Sequence, residues 1–563
     1  MMEPGDSAAM DEETVRVSAP LFRRGGVPIP QTRRALFITV IAVLVALLLT
    51  PLFIGVGAYA SHSWPFAQSN HPAAPSPTPY PTATPLGSSA ANVIQQENQA
   101  AGSDGWATPP AKRASTQIQA YLSATSVRPG RVLTMYVSTF QDKTAYTIDV
   151  YRLGWYGGRG GRLMMTAKQT GQAQGYYDQL RGRLFGCRTC RIDTTLGLVE
   201  ANWKASYRLT IPSDWVTGVY MAKFTDAHSM QTYAAFDVAG NDHSDYVLVT
   251  ADTTVAAYNE WGGYSLYLWR YGTGGHARKV SFDRPVSGWG DEQGLMYEID
   301  GIRWAERQGY DMSYISSADL HEAPDQLLNH KAYLTFGHDE YWSNEMRNGV
   351  TRARDAGVGL GFFAANVAYW QIRFEPDSRG ASDRTIVCYK EAPLDPLFGT
   401  NNAHVTTRWR ETPVNQPENA LIGLMYSAYA VQPNGFPWVM GYGVQSDLLA
   451  GANLQPGARY GCDIVGYEWD RTFPNGRTPT NLKVISASPV VDHTGIAGLA
   501  QTAFYVAPSG ALVFAAGTVD WTFALDDYRL FENPRCAGHT QVIPGLQRLT
   551  SNVMAALIVH DPH

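Results

Sequence analysis

Charge is scarce in this chain: Asp, Glu, Lys and Arg make up 17% of its 563 residues, and no long basic block follows the N-terminal arginines. With a net charge of −6, nothing indicates a nucleic-acid partner, and the mild acidity speaks to solubility alone. Cysteine is scarce too. Five in a chain of this length exclude a disulfide scaffold. Cys187 and Cys190 form a Cys-x-x-Cys pair in "LFGCRTCRID"; without a second such pair a structural zinc site is disfavoured, leaving a local disulfide or two free thiols. Cys388, Cys462 and Cys536 make the count odd, so at least one thiol is expected to be unpaired. The usual hydrolytic and nucleotide-binding signatures are also missing. No Gly-x-Ser-x-Gly elbow lies at a strand end, and there is no Walker A loop, dinucleotide fingerprint or His-Glu-x-x-His.

What the chain has is aromatic and apolar. Hydrophobic residues reach 45% and aromatics 12%, with 15 Trp and 31 Tyr beside 53 Gly and 33 Pro. That mix implies β-rich, loop-rich globular domains, two or three at this length. Residues 35–60, "ALFITVIAVLVALLLTPLFIGVGAYA", carry no charge and are long enough to span a bilayer core of about 30 Å. Arg23, Arg24, Arg33 and Arg34 precede them, which predicts a cytoplasmic tail (1–34) and an exported remainder. The expectation is a single-pass cell-membrane protein with an uncleaved anchor, although Ala58-Tyr59-Ala60 also suits signal cleavage. Residues 61–112, rich in Pro, Ser, Thr and Ala, read as an extended stalk.

From 113 to 240, short alternating runs such as "YTIDVYRLGWY" and "GVYMAKFT" predict an antiparallel β-sandwich. After Asn241 strands alternate with helices: "DYVLVTADTT", the helical 294–310, "MSYISSADL", "AYLTFGHDEYW", the helix "NEMRNGVTRARDAG" and "VGLGFFAANVAYW". That order predicts parallel β-α-β units over 241–563, with a site at the carboxyl ends of the strands. The ends carry Tyr258 and Asn259, then His338 to Trp342, then Asn366. The crowded stretch is "TFGHDEYWSNEMRNGV", 335–350. Its plain reading has Asp339 capping the next helix, Glu340 favouring that helix's positive end and Trp342 packing beneath. A carboxylate and an imidazole at such a turn also suit proton transfer.

Several stretches are unusual enough to carry a resemblance: "YRLGWYGGRGGRL", "GVYMAKF", "VTADTTVAAYNEWGGYSLY", "VSFDRP", "RWAERQGYDMSY", "FGHDEYWSNEMR", "FFAANVAYWQIRFEP", "CYKEAPLDP" and "GYEWDR". Collinear over 117–523, they resemble the large (beta) subunit of N,N-dimethylformamidase and its relatives. The resemblance implies an Ig-like β-sandwich followed by a three-layer α/β domain like the class I glutamine amidotransferases. It also implies a mononuclear ferric ion, Fe(III), held by Tyr220, Tyr258 and Glu340, with His338 and Asn366 beside it and Glu468 a second carboxylate. Glu468 is otherwise a buried partner for Arg471 or Arg303. A phenol loses its proton near neutral pH only beside a strong Lewis acid, and three anionic oxygens roughly neutralise a trivalent ion.

The leading expectation is therefore an anchored extracytoplasmic hydrolase of a non-peptide amide C–N bond, with a small amide as substrate. A small subunit or a homo-oligomer is compatible with the resemblance, although no segment of this chain corresponds to the former. Two other readings compete: a noncatalytic binding protein on the same scaffold, and a carbohydrate-active enzyme using Glu340 and Glu468 as paired carboxylates.

Overall fold

The computed structural model describes residues 91–268, 275–287, 294–431, 435–528, 536 and 542–559, all within one compact unit, Trp64–His563. The expected tail, the membrane segment 35–60 and most of the stalk lie outside the described residues. Among the described residues no helix is long and apolar enough to cross a membrane. The fold is mixed α/β, mostly strands in sheets with few helices.

The stalk reading needs correction over 91–112. Asn92 caps a short helix, Val93–Glu97, by a reciprocal capping box with Gln95. Ile94 and Trp106 are buried, and the Trp106 indole N–H donates to the Arg159 carbonyl. Two apolar anchors and one cap suffice to fix a segment whose composition reads as linker.

Two sheets build the first domain. The strands Ile118–Leu122, Val132–Thr139 and Tyr207–Thr210 form one; Ser126–Val127, Gln231–Val238, Gly218–Asp226, Ala145–Leu153 and Gly161–Thr170 form the other. Their inward residues share one core, including Ile118, Met135, Ile148, Tyr220 and Phe236. The strand Gly218–Asp226 is buried along nearly its whole length. Alternation explains why: Tyr220, Ala222 and Phe224 face the sandwich core, whereas Val219 and Met221 join the core of the second domain.

The second domain is organised by a seven-stranded sheet in the order Met312–Ser316, Tyr246–Thr250, Ala332–His338, Gly359–Ala365, Leu512–Ala515, Ala503–Val506, Lys483–Val484. The first five run parallel, Ala503–Val506 pairs antiparallel with Leu512–Ala515, and Lys483–Val484 pairs antiparallel with Ala503–Val506. The strands Tyr246–Thr250, Ala332–His338 and Gly359–Ala365 are buried at every residue, as a parallel sheet covered on both faces requires. The helices Leu295–Gln308 and Pro544–Leu557 pack on one face, with Leu248, Phe336 and Phe363. Asn344–Asp355 packs on the other, with Val249, Tyr333 and Phe362. Cys187–Cys190 and Cys462–Cys536 are disulfides, and Cys388 is a buried free thiol.

A buried ion pair joins the domains. Arg152, on Ala145–Leu153, meets Glu306, on Leu295–Gln308, through Nη2–Oε1 at 2.7 Å and Nη1–Oε2 at 3.0 Å, with both side chains fully buried. Tyr314 and Asn98 also donate to the Glu306 carboxylate, and Arg152 reaches the Thr217 carbonyl. Breaking one half of such a pair strands the other charge in a low dielectric. Glu306→Ala is expected to cost about 3 to 5 kcal/mol of stability, read by urea unfolding. A loss under about 1 kcal/mol, the range of an exposed pair, would show that the pair does not bear the interface.

Candidate functional site

The crowded turn lies where the sheet order leads one to look. The penultimate residue of the strand Ala332–His338 is Gly337, whose φ of +72° is left-handed and whose absent Cβ leaves room for Tyr297. His338, paired with Ala365, is the last residue of the strand after this bend, and Asp339 and Glu340 follow in the turn. Two threonines from the facing helix, Asp252–Tyr258, hold this turn. The Glu340 N–H donates to Thr254 Oγ1 at 3.0 Å, and Thr253 Oγ1 donates to the Tyr341 carbonyl at 2.7 Å. On the far side, Tyr369 and Trp370 donate their N–H groups to the Glu340 carbonyl. The "DTT" after the first strand is thus a clamp for the third strand's turn.

Asp339 is not the cap the sequence suggests. Tyr341–Ser343 forms a short strand parallel to Trp370–Glu375, and Ser343 caps the following helix by accepting from the Met346 N–H. Asp339 is fully buried, accepts from the Tyr333 hydroxyl at 3.3 Å, and is pushed up to about 6 by burial. Trp342 does pack beneath, against Tyr333 and Phe362.

His338, Asn366 and Glu468 come together. His338 Nε2 lies 2.9 Å from Glu468 Oε2 and 3.6 Å from Glu340 Oε2, and the Tyr467 hydroxyl is 3.4 Å from Nδ1. Asn366 Nδ2 donates to Glu468 Oε2 at 2.8 Å. Asn366 sits at φ +53°, a left-handed position that asparagine tolerates, and its N–H is fixed by Asp470 Oδ1 at 2.9 Å. Of the two partners proposed for Glu468, neither is used: Arg303 pairs with Asp526 at 2.8 Å, and Arg471 lies over the Phe473 ring. Burial disfavours the imidazolium, but the Glu468 and Glu340 charges outweigh it and hold His338 above its ordinary value.

Tyr258 lies in the same cluster, its ring centroid 5.7 Å from that of His338 and its phenol within reach of the Glu340 charge, but Tyr220 is elsewhere. Its ring stacks on Trp215 within the sandwich core and its hydroxyl donates to the Val216 carbonyl at 2.7 Å. Alternation along Gly218–Asp226 turns Tyr220 away from the second domain. The structure instead brings in Tyr267, which the sequence reading did not single out. Its hydroxyl donates to Glu340 Oε1 at 2.6 Å and accepts from the Tyr341 hydroxyl at 2.7 Å. Its ring packs against that of Tyr258, with the two centroids 4.3 Å apart. Tyr267 as a residue is 39% exposed, while its hydroxyl is engaged by Glu340 and Tyr341.

Lys390 was also missed. Its Nζ lies 3.4 Å from the centroid of the Tyr267 ring and 4.8 Å from that of Trp370, and burial holds it down to about 8. The available signals were a tyrosine nine residues past Tyr258 in "GGYSLY" and a lone lysine in "CYKEAP".

Burial first, and then the Glu340 charge, pushes the Tyr258, Tyr267 and Tyr341 phenols well above their ordinary value. Burial likewise raises Glu340, whose Oε2 is enclosed without a hydrogen-bond partner. Among the described residues no group of three or more His, Cys, Asp or Glu is placed to hold a metal ion. A metal here would therefore depend on the phenols. The donor chemistry fits a hard trivalent ion: Tyr258, Tyr267 and Glu340 offer three oxygens that are anionic when deprotonated, with one carboxylate oxygen unpartnered.

One buried cation shapes this pocket from behind. Arg284 donates to the carbonyls of Trp261 (2.6 Å), Tyr264 (2.8 Å), Asn259 (2.9 Å) and Ser281 (3.2 Å). Three of these lie in the loop joining Tyr258 to Tyr267. Its guanidinium is spent on backbone, and burial lowers it to about 9.

With this geometry described, comparison with known proteins adds one substantial match. The family model "N,N-dimethylformamidase beta subunit-like, C-terminal" matches residues 147–536. No curated protein matches the chain. Similar solved structures include a Paenibacillus sp. cycloisomaltooligosaccharide glucanotransferase complexed with cycloisomaltoheptaose, at 11% identity and a TM-score of 0.15, covering 49% of this chain and 34% of that one. Another is Spo0M, a sporulation control protein from Bacillus subtilis, at 8% identity and a TM-score of 0.13, covering 22% of this chain and 49% of that one. Likenesses at these scores carry no functional argument.

Arg284→Met would leave four carbonyls without their donor, so a stability loss of about 2 to 4 kcal/mol is expected, with Arg284→Lys recovering part of it. Urea unfolding of the three chains measures this. A Met variant as stable as wild type would refute the clamp.

Proposed function

Because the chain belongs to the N,N-dimethylformamidase beta subunit-like family, we propose that it hydrolyses a linear, non-peptide amide C–N bond at this pocket, with a ferric ion held by Tyr258, Tyr267 and Glu340. The observation that carries this reading is the convergence of two phenols and a carboxylate, one oxygen of which has no hydrogen bond and only a 3.6 Å contact with His338, beside the His338–Glu468 pair. Bound there, the ion would polarise the amide carbonyl and make water nucleophilic near neutral pH.

The chain's own residues then divide the proton work. Glu468 is placed to take a proton from attacking water. His338, whose Nε2 faces both carboxylates, is placed to carry that proton to the departing amine. Asn366 orients Glu468 through its 2.8 Å hydrogen bond, and its Oδ1, which has no hydrogen-bond partner, is free to accept from a substrate N–H. Lys390 brings positive charge over the Tyr267 ring, where it would favour the phenolate. Exclusion of bulk water by Tyr341, Trp342 and Tyr258 strengthens each of these interactions.

The same proposal keeps residues 35–60 as a single-pass anchor, the remainder outside the cell, and the two domains as Ig-like and amidotransferase-like. The sequence-implied ligand Tyr220 gives way to Tyr267, since a phenol bonded to Val216 within the sandwich core is not part of this pocket.

Metal content and visible absorption of the purified chain test the reading. One iron per chain with a tyrosinate charge-transfer band is expected, lost or shifted in Tyr258→Phe and Tyr267→Phe and retained in Tyr220→Phe. A band lost only in Tyr220→Phe would restore the sequence-implied set, and a chain that cannot be loaded with iron would refute the metal. In amide hydrolysis, Glu468→Gln is expected to lower the rate by roughly 100-fold or more; an unchanged rate would remove Glu468 from the chemistry.

A further inference from the structure

The sandwich carries a charge opposite to that of the domain that follows it. Residues 113–240 hold 15 Lys and Arg against 8 Asp and Glu, whereas 241–563 hold 23 against 35. Such asymmetry within one chain points to an anionic partner for the basic part. Its densest stretch is 176–191, "YYDQLRGRLFGCRTCR", where Arg181, Arg183, Arg188 and Arg191 stand beside a single acid, Asp178.

This stretch folds as a ribbon clipped to the body of the protein. Tyr176–Asp178 pairs antiparallel with Arg183–Phe185, and alternation gives the hairpin two faces. On the inner face Tyr177 is buried beside Trp261, and Leu184 packs on the same core. On the outer face the Tyr176 and Phe185 rings stack with centroids 5.4 Å apart, and the Phe140 ring lies 5.2 Å from Tyr176. The Cys187–Cys190 disulfide closes the turn that follows, and Thr189 in that turn donates its hydroxyl to the Ala201 carbonyl at 3.0 Å. The ribbon is therefore held in one shape before any partner arrives.

Its arginines point to solvent with little to neutralise them. Arg183 lies over the Phe185 ring at 4.9 Å, and neither Arg183 nor Arg188 has a carboxylate partner among the described residues. Arg181 pairs with Asp178 yet keeps 71% of its side chain exposed, and Arg191 reaches Glu200 only at 3.9 Å. Apolar groups are exposed among these charges. Leu180, in the hairpin turn where polar residues are the rule, is 86% exposed, and Phe140 is 51% exposed.

That combination selects the partner. A polyanion dissolved in water would engage the arginines and gain nothing from Leu180. A bilayer surface uses both: lipid phosphates accept hydrogen bonds from the guanidinium groups, and apolar side chains enter the boundary between headgroups and acyl chains. We propose that the ribbon 176–191, with Phe140, is a docking surface for anionic phospholipid membranes. The proposed anchor 35–60 precedes this domain and would bring it to a bilayer, but the ribbon's chemistry depends neither on that segment nor on the amide-hydrolysing pocket.

Hydrogen exchange of the full chain, mixed with nanodiscs of phosphatidylcholine or of an equimolar mixture with phosphatidylglycerol, tests it. Amides of 179–182 and 187–190 are expected to exchange about tenfold slower or more with the anionic discs. Raising NaCl from about 0.1 M to about 1 M, which shortens the screening length from about 10 Å to about 3 Å, should remove the difference. Leu180→Ser and the double variant Arg183→Gln, Arg188→Gln should remove it at unchanged Tm, because none of these side chains has a charged partner in the fold. Equal exchange with the two lipids would overturn the proposal, as would a difference that persists in either folded variant. Equal slowing by dextran sulfate, undiminished in Leu180→Ser, would also overturn it, by making the ribbon a general polyanion site. Any insertion of 35–60 is common to both discs, so a chain that stays out of the phosphatidylcholine discs would sink the anchor and leave this comparison intact.

Discussion

Glu340 is a carboxylate enclosed at the carboxyl edge of a parallel sheet, with phenols for neighbours and one oxygen that accepts no hydrogen bond. Placing that charge there is the constraint on which the rest of the site depends. Its backbone is fixed on both sides, by Thr254 and by the N–H groups of Tyr369 and Trp370, so the turn cannot relax to expose the carboxylate to water. Its charge raises the phenols around it, and its Oε2 shares His338 with Glu468. Without a cation such an array favours neutral phenols and a protonated acid. With the proposed trivalent ion the same oxygens would serve as ligands, and burial would change from a penalty on each charge into a reason for tight binding.

Much of the fold was legible because its signals are local. The parallel strands are short apolar runs that end in polar residues, and the helices Leu295–Gln308 and Asn344–Asp355 carry apolar residues at helical spacing with capping signals. The strand ends named from sequence, His338, Glu340 and Asn366, do meet, since parallel pairing aligns the carboxyl ends of Ala332–His338 and Gly359–Ala365 residue by residue. Glu468 joins them from a distant loop-rich region, where no periodicity announces a position; only the resemblance pointed to it.

What stayed illegible depends on register and on tertiary contact. Tyr220 and Val219 are adjacent in sequence yet face different cores, and a one-residue difference in register exchanges them. No composition or spacing rule fixes that choice for a strand apolar on both faces. Tyr267 is brought to Glu340 by a loop whose path is set by Arg284 collecting backbone carbonyls, an interaction with no sequence signature beyond a lone arginine in "FDRP". Asp339 fits a capping pattern, but an intervening short strand moves the cap to Ser343. The same limit hid the packing of 91–112, where linker composition outweighed two apolar residues that find pockets only in the folded chain.

The helix Asp252–Tyr258 gives these parts a shared mechanical element. It is seven residues long, too short to be stable alone, so its position is set by what it touches. On one side Thr253, Thr254 and Tyr258 hold the Glu340 turn and enter the phenol cluster. On the other, Asp252 shares the Thr250 hydroxyl with Asp237 of the sandwich. The sandwich thus touches the helix that carries Tyr258 through the Asp237–Thr250–Asp252 hydrogen bonds, while Tyr220 stays within the sandwich core.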